Sequence, residues 1–395
     1  MFTLKHRTDP WNQGRDCTGR ARRFLALRPS PVPRPRDRRG TVEEIYASTT
    51  FRKALLLVGL VILLAAAGLV AATAGAAQVG AGDVWRVVAG KFLPAYRGTA
   101  GELARTVVVD LRLPRILLAV ITGMSLAGAG AAMQGVLHNP LVDPYILGLS
   151  SGAAFGAALA IVLGAGFLAP VYGSVGPYLV ITNAFVFGIL AMWLVYGIAR
   201  LRGTAPETLI LGGVAIGYLF SAGVALLKYV SENEALKELV VWLMGGLWGA
   251  TWEAVRLLFP LVLASQAVLL YYAWDVNALL AGEEVAGSLG VNVRRVRLLY
   301  LGAASMAAAA TVAFTGIIGF VGLVAPHICR LLIGNDYRFL IPCSSLLGAA
   351  LLLVADTGAR TIMAPTEIPV GVITSLIGVP FFLGLLLKRR SQISL

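Results

Sequence analysis

The chain has 395 residues, 58% of them hydrophobic and only 13% charged, with a mean hydropathy of +0.80. A soluble domain carries about 25% charged residues, so this composition excludes an ordinary soluble fold and points to an all-α polytopic membrane protein. The net charge of +13 does not argue for nucleic acid, because the cations gather at the N-terminus and between apolar runs, as the positive-inside rule requires.

Residues 1–50 differ from the rest. The run from Arg28 to Gly40 is rich in Pro and Arg and cannot bury a core. We read 1–50 as a basic, disordered cytoplasmic tail. It is not a signal peptide, since the apolar run begins only near Ala54. A membrane body over 51–390 follows, with apolar segments at about 54–76, 113–134, 145–168, 171–199, 207–229, 254–274, 298–316, 319–333, 343–360 and 369–387. The 45 glycines suit closely packed membrane helices. Residues 239–250, with Trp242, Trp248 and nearby Trp252, are apolar but too short to span, and read as an interfacial or re-entrant piece. Cys17, Cys329 and Cys343 share no metal or redox spacing, and the last two are expected to pack inside.

With ten spans, the N-terminal tail, Arg200, Arg202, Arg294 to Arg297, Arg338 and Lys388 to Arg390 fall on one side, expected to be cytoplasmic along with both termini. The loops 77–112, 230–253 and 361–368 fall on the other. The halves echo each other. Ala132-Met133-Gln134-Gly135 and Ala313-Phe314-Thr315-Gly316 each close a small-residue helix. The first such helix enters from outside and the second from inside, so the repeat is expected to be inverted.

The stretch 275–297 is the longest soluble segment within the body. It holds a helix-like core, Ala278 to Leu289, closed by Gly290, with Glu283 and Glu284 on it and Arg294, Arg295 and Arg297 after it. It reads either as a docking element or as a solvated connector. Arg112 and Arg115 flank Pro114, where interfacial arginines commonly snorkel toward headgroups. Pro140 and Pro144 break a helix and expose a turn, and His138 beside them reads as a solvated loop side chain. Glu207 suits a helix N-terminus. His327 follows Pro326 with no Cys, Asp or His at ligand spacing, so no metal site is expected. The chain has no Gly-x-x-x-x-Gly-Lys-Ser/Thr phosphate loop and no nucleophile–base or paired-carboxylate pattern. No catalytic residue and no ATP or other cofactor site is therefore expected, and energy must come from a partner or an ion gradient.

Four blocks carry a resemblance: 111–153 (LRLPRILLAV…NPLVDPYILGLSSGA), 280–291 (LAGEEVAGSLGV), 315–330 (TGIIGFVGLVAPHICR) and 355–386 (ADTGAR…EIPVGVITSLIGVPFFLGLL). Together they resemble the FecCD-type permeases of iron-siderophore, haem and cobalamin ABC importers, over about residues 51–390. The resemblance implies ten helices with an inverted repeat (spans 2–5 and 7–10), the type II ABC importer permease fold, in the inner membrane of a prokaryote. It also implies partners: a second permease subunit, a homodimer being favoured over a heterodimer; two ATPase subunits that hold ATP and Mg; and a periplasmic or lipid-anchored substrate-binding protein. It assigns Arg112, Arg115 and Arg360 to binding-protein docking. It places Asn139 and Leu141, with Pro206 and Glu207, at the cytoplasmic gate; the last two depart from the small hydroxyl residues of the cobalamin-type relatives. It gives Gly282, Glu283, Glu284, Ala286, Leu289 and Gly290 to ATPase coupling, with Leu279, Leu280, Val285 and Leu289 as the apolar contact. The expected cargo is a ferric siderophore, with haem or cobalamin as alternatives. A rival of another class is an ion-coupled secondary transporter. It needs midplane carboxylates, and Asp356, near a span end, is the nearest approach to one outside span 5.

Overall fold

The computed structural model describes residues 38–75, 77, 79–92, 101–166, 176–201 and 205–390. The chain divides into a unit over 1–51 and a unit over 52–395, and every site residue named above lies in the second. Helix α1 (Arg38–Thr73) begins inside the expected tail, so residues 38–50 are helical; Met1 to Asp37 lie outside the described residues.

The remaining helices are α2 (Ala81–Phe92), α3 (Leu113–Val136), α4 (Leu149–Leu163), α5 (Pro177–Leu201), α6 (Pro206–Val230) and α7 (Asn233–Met244). After them come α8 (Trp252–Tyr271), α9 (Ala273–Leu279), α10 (Glu283–Ser288), α11 (Val293–Thr315), α12 (Val321–Ile333), α13 (Tyr337–Thr361) and α14 (Val370–Arg390). A helical lead-in, Glu102–Thr106, and a π-helical turn, Val107–Arg112, run straight into α3. Local chemistry sets several starts. Pro occupies the first turn of α3 and of α6, where its missing N–H costs nothing. Thr251, Asn292 and Asp336 cap α8, α11 and α13 by accepting from the N–H of Ala254, Arg295 and Arg338.

Among the described residues, ten apolar helices match the ten expected segments. Seven of them are long enough to cross a bilayer, and three are shorter: Leu149–Leu163, Val321–Ile333 and Val370–Gly384. Span 3 is shorter than the sequence suggested because Gly148 (φ 74°) and Gly164 (φ 60°) take left-handed conformations at its two ends. At 15 residues α4 is about 22 Å long, less than a hydrocarbon core of about 30 Å. The repeat shows in lengths: 24, 15, 25 and 25 residues for α3 to α6 against 23, 13, 25 and 21 for α11 to α14. The interfacial piece is α7, an amphipathic helix that ends at Gly245 (φ 68°).

Helix α3 is the axis of the bundle. Its span is 83% enclosed by protein against 6% for the span in α1, and it packs on α8, α11, α12 and α13. Missing side chains let backbones meet: a Cβ on Gly130 would lie 1.8 Å from the carbonyl oxygen of Gly322 on α12, and one on Gly123 would lie 2.4 Å from that of Gly348 on α13. Close approach of this kind holds helices together where no hydrophobic gradient separates protein from lipid. Buried polar groups pair across the same seams. Thr311 bonds Ser125 at 2.8 Å, and Gln266 donates to the Met124 carbonyl at 3.0 Å. Cys329 and Cys343 are fully buried and reduced.

Candidate functional site

At one end of the bundle the three expected docking arginines are gathered together. Arg112 leaves the π-helical turn and donates to the carbonyls of Ala72 (2.6 Å), Thr73 (3.1 Å) and Ala77 (2.6 Å). Arg360 reaches Ala71 (3.3 Å) and Ala74 (3.4 Å) from the last turn of α13. The two guanidiniums thereby cap the C-terminus of α1, where orphan carbonyls and the helix dipole favour cations. Arg115 grips Asp356 through Nε (3.1 Å) and Nη2 (2.9 Å), and Glu367 through Nη1 (2.8 Å). Arg360 Nε adds an ion pair to Asp356 at 3.2 Å.

This arrangement corrects the reading of Arg112 and Arg115 as headgroup-seeking: Arg112 is 4% exposed and the Arg115 side chain 13%, and Arg360 beside them is 7% exposed. Burial is tolerated because α1 carbonyls and Asp356 replace water. Two further members of the cluster, the fully buried Asp356 and the partly exposed Glu367, have no docking role in the sequence reading. The first had a signal, standing four residues before Arg360 on one helix face. A cleft of about 350 Å³ opens beside the cluster, lined by Arg112, Arg115, Arg360, Glu367 and Trp248 among others. Three cations against two carboxylates leave the cluster with a net charge of 3 − 2 = +1.

The loop after α3 forms the second feature. Asn139 Oδ1 accepts from the Leu141 N–H at 3.0 Å, an Asx turn that leaves Leu141 42% exposed at the tip. Gln134 anchors the loop base by donating to the Val142 carbonyl (3.1 Å) and is itself held by Arg330 (2.8 Å). Tyr145 donates to the Ile318 carbonyl at 2.8 Å. Burial pushes the Asp143 carboxyl up to about 6, with the N–H groups of Tyr145 and Ile146 pulling the other way. His138 is not a free loop side chain. Its Nε2 lies 3.0 Å from the Leu279 carbonyl. Pro206 and the exposed Glu207 sit in the first turn of α6. Among the described residues no hydrogen bond or ion pair joins them to Asn139 or Leu141. Helix α6 nonetheless borders the loop, because a Cβ on Gly213 would lie 2.0 Å from the Ile146 carbonyl. Asp143, Tyr145, Ser151, Tyr218 and Ser221 line a cleft of about 350 Å³ between them.

The third feature is the 275–297 segment. The single helix expected from 278 to 289 is two helices, α9 and α10, broken at Gly282, whose φ of 118° suits glycine alone. Gly290 (φ 86°) closes α10: its N–H bonds the Gly287 carbonyl and the Val291 N–H bonds that of Ala286, both at 3.0 Å. Glu283 pairs with buried Arg297 at 2.5 Å. Leu280, Val285 and Leu289 are exposed, the last at 69%, together with Glu284. Leu279 and Ala286 are not part of that face. Both are completely buried where α9, α10 and α11 pack together, so the expected contact role of these two is corrected to an internal one.

A hub not foreseen from sequence fixes this segment. Asp336 accepts from Asn277 Nδ2 (2.9 Å), from Arg338 Nη2 (2.7 Å) and from Lys53 Nζ (3.4 Å), and the Tyr337 N–H donates to Asn277 Oδ1 (2.9 Å). Arg338 also stacks on Trp274, 3.9 Å from the ring centroid. Burial alone would raise the Asp336 carboxyl, but the bonds from Arg338 and Asn277 hold it at about 2. Among the described residues, no group of three or more His, Cys, Asp or Glu side chains is placed to hold a metal ion.

The fold thus sets out a buried arginine cluster at one end, a turn with an exposed leucine, and a braced apolar–acidic face. The model of the FecCD transport family matches residues 61–388. The chain belongs to that family. It is a membrane-spanning transport permease of the metal-chelate ABC importer type. The FecCD chain is 47% identical to the cobalamin import system permease BtuC of Halobacterium salinarum, covering 73% of this chain and 75% of that one. It is 42% identical to the hemin transport system permease HmuU of Yersinia pestis, covering 72% and 84%. A solved inward-facing structure assigned to the metal-chelate type of ABC transporter superposes with a TM-score of 0.74 at 34% identity, covering 85% of this chain and 99% of that one.

Proposed function

We propose that this FecCD permease carries a ferric siderophore across the inner membrane of a prokaryote by ATP-driven alternating access, with haem or cobalamin as the alternative cargo. The observation that carries the coupling part is the α9–α10 segment. It presents Leu280, Val285, Leu289 and Glu284 outward while Asp336, Arg297 and Ala286 hold it from behind. Exposed apolar side chains on a rigidly braced element mark a protein contact. The partner in this reading is one of two ATPase subunits, which hold the ATP and Mg; this chain holds no cofactor. Gly282 and Gly290 set the geometry, Glu283 braces it, and Leu289 and Glu284 make the contact.

A second permease, in a homodimer, completes the pathway. Asn139 and Leu141, with Pro206 and Glu207, narrow it on the cytoplasmic side, where both termini also lie. On the outer side Arg112, Arg115 and Arg360 present their net positive cleft to acidic groups of a periplasmic or lipid-anchored binding protein. Charges so placed orient the encounter more than they add affinity. The bulky cargo needs no tight site here if the binding protein supplies affinity.

The test is ATP hydrolysis by the complex in proteoliposomes with ferric hydroxamate, haem and cobalamin offered in turn. The reading expects one of them to stimulate hydrolysis and to accumulate. Uptake that persists without ATP and collapses with an ion gradient would replace this reading with secondary transport.

A further inference from the structure

The gate loop and the α9–α10 segment are each anchored to a different neighbour. The loop hangs from Arg330 through Gln134 and from Ile318 through Tyr145. Helix α9 is tied to the start of α13 by Asn277 and Asp336. His138 joins the two sets, with Nε2 at 3.0 Å from the carbonyl of Leu279. The position of that carbonyl matters. Leu279 is the last residue of α9, its oxygen is one of the orphan acceptors of a helix end, and the same oxygen takes the N–H of Gly282 at 3.0 Å. The gate loop is therefore fastened at the break between α9 and α10.

The backbone of His138 supports the same conclusion. It sits at φ 50°, in the left-handed region that residues other than glycine seldom adopt, histidine being among those that enter it more often. Strain of this kind persists only where the surroundings hold it, and it clusters at working elements. Here it places the ring against α9.

We propose that His138 is a positioning residue that passes displacement of the α9–α10 segment to the gate loop bearing Asn139 and Leu141. The inference rests on the reading of that segment as the ATPase contact. When α10 is pushed, the end of α9 moves, and the His138 bond draws the Asx turn with it. Without the bond, the turn keeps its own anchors at Gln134 and Tyr145 and no longer follows.

The test uses the whole complex in proteoliposomes, with ATP hydrolysis and uptake read in the same vesicles. The cargo is whichever of ferric hydroxamate, haem and cobalamin the wild type accumulates best. His138→Gly keeps the left-handed backbone without strain and removes the ring; His138→Gln keeps a donor of similar reach. The expected result for His138→Gly is unchanged thermal stability, hydrolysis near the wild-type rate, and uptake per ATP reduced about fivefold, the effect of one lost hydrogen bond. His138→Gln should retain more of the coupling than His138→Gly. Wild-type uptake per ATP in His138→Gly, or equal loss in both variants, would overturn the proposal. Glu284→Lys separates the two levels. If it releases the ATPase subunits while His138→Gly stays coupled, only the latch is wrong. If it releases nothing, the coupling reading falls with it.

Discussion

Arg115 and Asp356, 241 positions apart, meet in a two-pronged ion pair at 2.9 and 3.1 Å that fastens the start of α3 to the last turns of α13. Asp356 is fully buried and faces Arg360 as well, so two guanidiniums depend on one carboxylate. Removing a buried charge from such a group strands its partners. Asp356→Ala should cost about 3–5 kcal/mol, read as a lowered melting temperature of the purified permease in detergent. The double variant Arg115→Ala/Asp356→Ala should lose less than the sum of the single variants, and full additivity would show that the pair is not coupled.

The meeting of α3 and α12 at Gly130 and Gly322 makes a sharper packing prediction. Gly130→Val must displace the backbone of α12, because even a Cβ lies 1.8 Å from the Gly322 carbonyl oxygen. The helices cannot both stay in place, and the variant should fail to give a monodisperse protein. Gly287→Ala is the control. No atom lies within 4 Å of its added Cβ and its φ is ordinary for a helix, so its stability should stay within about 0.5 kcal/mol of wild type.

Ala286 within α10 and Leu289 at its C-cap separate support from contact. Leu289→Glu alters a side chain that is 69% exposed and should leave the melting temperature unchanged while weakening co-purification of the ATPase subunits. Ala286→Glu places a charge where exposure is 0% and should unfold the segment. Equal melting temperatures for these two variants would contradict the placement of Ala286.

Two carboxylates set opposite pH responses. The Asp336 carboxyl is held at about 2, below its ordinary 3.8, by Arg338 and Asn277. Its stabilising contribution is complete above pH 3.8 and disappears as the pH falls through 2. Asp336→Asn should therefore destabilise the permease at neutral pH and lose that effect at the acid end. The Asp143 carboxyl is raised by burial from 3.8 to about 6. The folded state thus holds its proton more tightly than the unfolded state, and stability should rise as the pH falls from above 6 toward 3.8. Asp143→Asn should flatten that rise in melting temperature measured across the interval.

Much of the fold is legible in the sequence. Apolar length and composition determine that the chain is helical and lies in a membrane, because hydrocarbon admits only helices and closed barrels and apolar runs of about 20 residues fit the helix. They also locate all ten apolar segments, and Gly290 stands out as a helix stop by its type and place. The contacts are a different matter. Composition alone cannot tell that Arg112 and Arg360 cap the end of α1, since the carbonyls they need lie 35 to 40 and 286 to 289 residues away. Nor can it tell that Ala286 faces inward while Leu289 three residues later faces outward, or that His138 reaches Leu279. Those outcomes depend on which surfaces the packing of α3, α11 and α13 leaves uncovered. A charge in low dielectric goes wherever a partner awaits it, and only the tertiary structure sets those partners.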